Sequence, residues 1–186
     1  RFFKRQPKNK PVNLGIGDDC ALLSVPQGSE LAITTDTMVA YVHFFADCAP
    51  YDLGYKLLAV NLSDLASMGA KPLAATLALT LPKPDEQWLS EFADGFFALA
   101  EQFGVDLIGG DTTSGPLTLT VQALGLVAKG QALRRSSAKP GDLICVTGLL
   151  GEAGLGLKIR QGYLCANPDN ALNRFNRPEP RIEIGL

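Results

Sequence analysis

Residues 52–81 read DLGYKLLAVNLSDLASMGAKPLAATLALTL, and this stretch decides the fold. Leu53, Leu57, Leu58, Leu62 and Leu65 recur at helical spacing, which predicts a helix from Asp52 to Met68. Gly69 follows, able to close it in a left-handed cap. Leu73 to Leu81, rich in Thr and Leu and bounded by Pro72 and Pro82, then predicts a strand. The same pairing recurs downstream. Asp85 is placed to cap a helix running to Phe103, with Leu89, Phe92, Phe96, Leu99 and Phe103 as its apolar stripe and Gly104 as its stop. Val105 to Ile108 predicts a short strand and Leu117 to Val127 a longer one. Upstream, Leu31 to Ile33 predicts a short strand ending in Thr34-Thr35-Asp36-Thr37. Strands alternating with helices give the class α/β (α+β).

The 186 residues suit one domain, or one domain and part of another. A composition 46% hydrophobic and 19% charged is that of a chain with enough apolar surface to fold. No run of eighteen apolar residues occurs, so no membrane span is expected. Cys20, Cys48, Cys145 and Cys165 lie far apart, with no C-x-x-C pair and no disulfide framework, and a reduced cytoplasmic location follows as the default.

The net charge of −2 conceals three blocks. Residues 1–10 carry five basic residues (Arg1, Lys4, Arg5, Lys8, Lys10) and no acid, and read as a soluble, mobile end. Residues 11–128 carry fourteen acids against three lysines, which argues against nucleic acid as a ligand and suits divalent cations. Residues 129–186 are net basic. Arg134 to Asp142 is polar and turn-rich, and marks a domain boundary. Beyond it Leu143 to Thr147 predicts a strand and Glu152 to Arg160 a short helix. After Gln161 the pattern fades, so residues 137–186 read as the incomplete beginning of a second α/β domain.

Four segments carry an aspartate flanked by Gly or hydroxyl residues at the end or inner face of an apolar element: Gly15–Asp19, Thr34–Thr37, Asn61–Leu65 and Gly109–Thr113. Carboxylates and hydroxyls are hard oxygen donors, suited to Mg²⁺ or Ca²⁺. Glycines let a backbone approach a phosphate and offer it N–H groups. Each segment alone is also ordinary turn or cap chemistry. Asp64 is the exception, because it sits inside a leucine-rich helix, three residues from Asn61 on a shared face. A buried acid there would need a cation or a hydrogen-bond network. His43 is the only histidine, and no P-loop or dinucleotide fingerprint is present.

Together GIGDDCALL (15–23), ITTDTMV (33–39) with His43-Phe44, YKLLAVNLSDLASMGAKP (55–72), LIGGDTT (107–113) and RRSSAKPGD (134–142) resemble the thiamine-monophosphate kinase family of the aminoimidazole-ribonucleotide-synthetase-like superfamily. The resemblance covers nearly the whole chain. It implies transfer of the γ-phosphoryl of ATP, the co-substrate, to thiamine monophosphate, with several Mg²⁺ ions. It also implies an N-terminal mixed-sheet domain with flanking helices, residues 1–136, that binds ATP and Mg²⁺ and forms homodimers by associating strands across a two-fold. Carried over by motif, Asp19, Thr34, Thr35, Asp36, Asp64 and Asp111 would be metal ligands. Gly110, Asp111 and Arg135 would contact the nucleotide, and His43 the thiamine phosphate. The acceptor phosphate is largely ionised near neutral pH, so no separate general base is expected. Two other readings stand beside this one: an ATP-dependent enzyme of the superfamily acting on a ribonucleotide amide or selenide, and a non-catalytic Mg²⁺- and nucleotide-binding dimerisation module.

Overall fold

The computed structural model describes residues 2–186. A ribbon of β1 (Val12–Leu14) and β2 (Leu22–Leu23) precedes the main sheet. That sheet comprises β3 (Ser29–Val39), β4 (Lys71–Leu81), β5 (Asp106–Ser114) and β6 (Thr118–Ala128), in the order β3-β6-β4-β5. The β4–β5 pair is parallel and the other pairs antiparallel, so the sheet is mixed. Helices α1 (Pro50–Ser67) and α2 (Glu86–Phe103) cover one face. Leu57, Leu62, Leu79, Phe92, Phe96 and Leu119 are 2% exposed or less and anchor the single large core between these layers. Fully burying a side chain of this size contributes roughly 1.5–3 kcal/mol.

Local signals place both long helices as the sequence indicates. The Asp85 carboxylate accepts from the Trp88 N–H at 3.0 Å and caps α2. Gly104, at φ 64°, closes α2 in the left-handed region, and Gly69, at φ 67°, follows the end of α1. The two helices touch backbone to backbone. A Cβ on Gly95 would stand 1.9 Å from the Tyr51 carbonyl oxygen, and one on Gly54 2.1 Å from that of Phe92.

Three expectations are corrected. The short strands at 31–33 and 105–108 are the first parts of β3 and β5, which run on through Thr34–Thr37 and Gly109–Thr113. The aspartates therefore lie within hydrogen-bonded ladders, where the polar residues hid the continuation. The expected strand at 143–147 is absent among the described residues: Leu143 and Ile144 are 91% and 97% exposed, and no strand lies beyond β6 for the segment to pair with. The described part of the basic N-terminal segment is tied to the fold rather than free of it. The buried Asp106 carboxylate accepts from the Lys8 N–H at 2.9 Å and from the Asn9 N–H at 2.7 Å. Arg5 lies over the Phe97 ring, and Phe3 packs edge-on to Phe92; Arg1 lies outside the described residues.

After β6 a 3-10 turn (Arg135–Ser137) and an exposed stretch lead to α3 (Glu152–Arg160), as expected, and then to α4 (Asp169–Asn176) and α5 (Ile182–Gly185), which the fading pattern did not announce. These pieces return to the first half of the chain. Arg177 pairs with Asp52 and Arg160 with Asp47, while the Lys56 ammonium lies 4.0 Å from the Phe175 ring centroid. Burial lowers the Lys56 pKa in this contact. Ile182 is buried against the large core. No described helix is long and apolar enough to cross a membrane.

The helix crossing yields a test of packing against propensity. Gly→Ala inside a helix gains about 1 kcal/mol on propensity alone, whereas forcing a methyl into a packed contact costs about 1–3 kcal/mol or more. Gly95→Ala is expected to lower the urea midpoint. A raised midpoint would show that α1 and α2 do not approach this closely.

Candidate metal and nucleotide site

The structure places most of the motif residues in two groups, one toward each edge of the sheet. The first sits where β3 meets α1. Successive side chains of a strand point to opposite faces, so Thr34 and Asp36 turn toward α1. The Thr34 hydroxyl donates to the Asp64 carboxylate at 2.7 Å. The Asp36 N–H donates to Asn61 Oδ1 at 3.1 Å, and Asn61 Nδ2 donates to the Leu57 carbonyl at 3.0 Å. Asn61, not Asp64, is the wholly buried polar residue of the helix. It satisfies its amide on both elements and fixes Asp36 beside Asp64. Sequence reading noted Asn61 only as a neighbour on the helix; its position among leucines was the available signal.

Asp36 pays for this placement in acidity. Burial raises its pKa, the adjacent Asp64 charge raises it further, and His43 partly offsets both. His43 is held by a tight turn in which Tyr41 adopts a left-handed φ of 66°. Its Nδ1 accepts from the Val39 N–H at 3.0 Å, which leaves Nε2 as the free face of the ring. Asp36, Ser63 and Asp64 line an open cleft of about 300 Å³ that Pro178, Glu179 and Pro180 also line. Thr35 is not part of this group. Alternation puts it on the opposite face, where its hydroxyl accepts from Gln122 Nε2 at 3.4 Å.

The second group lies at the other edge of the sheet. Asp18, Asp19, Gly110 and Asp111 share a groove of about 340 Å³ with Gly17 and several apolar side chains. Gly110 has φ 151°, and a Cβ there would stand 1.9 Å from the Leu77 carbonyl oxygen, so no other residue fits. Asp36, Val121, Leu77 and Gly110 occupy one row across the four strands. Three interstrand steps separate the two groups by roughly 14 Å within one chain. Accordingly, no three His, Cys, Asp or Glu side chains among the described residues converge tightly enough to hold a metal ion by themselves. Arg135, exposed in its 3-10 turn, lines neither space.

The oxygen donors of the first group fit a hard cation: two carboxylates and a hydroxyl, with the Asp36 carboxyl disfavoured as an anion by burial and then by Asp64. The second group combines carboxylates with a backbone that only glycine permits, an arrangement suited to phosphate and its counter-ion.

Comparison with known proteins identifies the family. Residues 17–127 match the family model described as AIR synthase related protein, N-terminal domain. The chain is 53% identical over 190 aligned residues to the thiamine-monophosphate kinase of Escherichia coli K12, across all of this chain and 58% of the relative. The crystal structure of thiamine-monophosphate kinase from Stenotrophomonas maltophilia K279a superposes with a TM-score of 0.90 at 48% identity, covering 96% of this chain and 59% of that one. A structure described as AaThiL complexed with AMPPCP and TMP superposes with a TM-score of 0.80 at 25% identity, covering 87% of this chain and 53% of its own. This chain thus spans a little under three-fifths of the relatives it matches. With the matched model extending over β3 to β6 and both acidic groups, the chain belongs to the AIR synthase related protein family through its N-terminal domain.

Proposed function

We propose that this chain is the ATP- and metal-binding part of an enzyme that phosphorylates thiamine monophosphate to thiamine diphosphate, with ADP as the other product. The observation that carries the reading is the Asp36–Asp64 pair, held by Asn61 and Thr34 beside His43. Burial and the neighbouring Asp64 charge both disfavour the Asp36 carboxylate as an anion, and a cation at the pair would relieve this. The likeness to a protein complexed with an ATP analogue and TMP supports the choice of substrates.

Asp36, Asp64 and Thr34 would hold Mg²⁺ on one side of the site and Asp19 and Asp111 on the other, with the Thr35 backbone close by. Bound Mg²⁺ would neutralise charge on the phosphates as it moves from acceptor to leaving group. The chain's own residues supply placement. Gly110 lets the β5 backbone approach the nucleotide phosphates, Arg135 gives the nucleotide a cation from the segment after β6, and His43 offers Nε2 to the phosphate of the acceptor. Transfer is direct and in line: the bond from the γ-phosphorus to the ADP oxygen breaks as a bond to the acceptor phosphate oxygen forms. An ionised phosphate monoester has no proton to lose, so no general base is required.

The two groups lie near opposite edges of the sheet, and β3 and β5 have no strand partner on their outer sides among the described residues. Long open edges invite pairing. We read them as the surface of a homodimer in which strands of two copies associate. Residues 137–186 are read as the opening of a second domain. Four free cysteines fit a reducing, cytoplasmic setting.

The reading is tested by incubating the intact protein with ATP, Mg²⁺ and thiamine monophosphate and separating the products by chromatography. Thiamine diphosphate that appears only with Mg²⁺ is the expected result; ADP without it would redirect the activity to another acceptor. Asp36→Asn is expected to lower kcat by about 10²-fold or more with an unchanged circular dichroism spectrum, and a near-wild-type rate would remove Asp36 from the site. A second prediction concerns proton linkage. Because the folded-state pKa of Asp36 is raised, the metal-free fold loses stability as pH rises from the ordinary aspartate value to that raised pKa. Asp64→Asn removes the like charge, so NMR titration should find the Asp36 pKa lower and this loss smaller. An unmoved Asp36 pKa would mean that the two carboxylates do not interact.

A further inference from the structure

Two residues before His43, Tyr41 adopts a φ of 66°, and among the described residues no other side chain-bearing position has a positive φ. A bulky residue in the left-handed region is an outlier, because its Cβ crowds the neighbouring carbonyl. Glycine would take the same backbone without that cost. Packing within the chain does little to offset the strain. Tyr41 is 84% exposed, and Val42 beside it is 73% exposed. The turn therefore holds an aromatic ring out into solvent at the expense of its own backbone.

The turn itself is firmly built. The Tyr41 N–H donates to the Phe44 carbonyl at 2.9 Å, the His43 N–H to the Val39 carbonyl at 2.9 Å, and the Ala40 N–H to the Leu117 carbonyl, just before β6, at 3.1 Å. The Val39 N–H closes on His43 Nδ1, and Phe44 is buried in the large core. Strained residues persist where their surroundings over-determine them, and they concentrate at ligand clamps and active sites. The same bonds fix Tyr41 relative to His43. The two Cα atoms are no more than about 7.6 Å apart, since only two peptide units join them.

We infer that Tyr41 is a specificity-determining residue for the acceptor, its exposed ring stacking on the thiazolium of thiamine monophosphate and selecting for its positive charge. The inference rests on the proposed binding of the acceptor phosphate at His43 Nε2 and extends it to a residue that was not assigned a role there. In this substrate a two-carbon arm joins the phosphate to the thiazolium. A phosphate held at His43 keeps that ring within the surroundings of the same turn. The thiazolium is a flat aromatic cation, and the electron-rich face of a tyrosine ring is its natural partner. Tyr41 is a binding residue in this account and takes no part in the transfer of the phosphoryl group.

The test separates the charge of the ring from the phosphate. Dissociation constants for thiamine monophosphate and for its uncharged thiophene analogue, both with Mg²⁺, are measured by calorimetry on the intact protein, on Tyr41→Gly and on Tyr41→Phe. Tyr41→Gly is expected to weaken thiamine monophosphate about fivefold and to change the binding of the neutral analogue little, while Tyr41→Phe keeps the wild-type affinity for both. Tyr41→Gly is also expected to keep or raise the urea midpoint, because it relieves the left-handed backbone. Unchanged binding of thiamine monophosphate would remove Tyr41 from the site. Equal weakening of both ligands with a lowered midpoint would make the ring a support of the fold, and equal weakening with a shift from dimer to monomer would make it a contact between copies. Each of these results overturns this inference while leaving the acceptor reading intact. A folded wild-type protein that binds neither ligand overturns the acceptor reading and this inference together.

Discussion

The arrangement of the site depends on one buried amide. Asn61 is the wholly buried polar residue of α1, and it spends its oxygen on the β3 backbone at Asp36 and a nitrogen on its own helix. An unsatisfied buried amide costs about 1–3 kcal/mol, so the contact is one the fold holds firmly. Its consequence is positional. With Asn61 bonded to the Asp36 N–H, the helix cannot slide along the strand. Asp64, three residues further on, then falls against Thr34, and Asp36 and Asp64 are brought together. The leucine stripe around Asn61 gives the helix its place on the sheet, and the amide gives it its register.

That register concentrates negative charge, and the sheet then distributes it. Asp36 belongs to one edge strand and Asp111 to the other, with β6 and β4 between them. Each group by itself holds too few ligands for a closed metal cage. On the proposed reading, a phosphate chain with its cations would span donors that the protein keeps apart on an open, acidic surface. The raised pKa of Asp36 is the local expression of the same arrangement: the fold keeps a carboxylate where it is least comfortable as an anion until a cation joins it.

Much of this was legible in the chain because it is encoded locally. The apolar stripe of α2, its Asp85 cap and its Gly104 stop are all read within one turn of the residues they act on. The four aspartate segments were visible for the same reason. What could not be read is what depends on residues far apart. The continuation of β3 through Thr34–Val39 is set by pairing with Thr118–Ala123, far along the chain, and the polar side chains there carry no apolar alternation. The N-terminal arm depends on Asp106, which looked like one more acid in an acidic region. Leu143–Thr147 has the composition of a strand, but a strand exists only with a partner. The division of the site into two groups follows from the strand order, which no motif contains. Thr35 is instructive in the other direction, because a period of two already places it opposite Thr34 and Asp36.

The central claim, that the fold sets Asp36 and Asp64 together to receive a divalent cation, is open to direct observation. Crystals of the intact protein grown with Mn²⁺ and AMPPCP would show manganese by its anomalous scattering. The account predicts a peak within bonding distance of carboxylate oxygens from both Asp36 and Asp64. Manganese bound at the nucleotide with none at this pair, and the Asp64 carboxylate still occupied by the Thr34 hydroxyl alone, would contradict it.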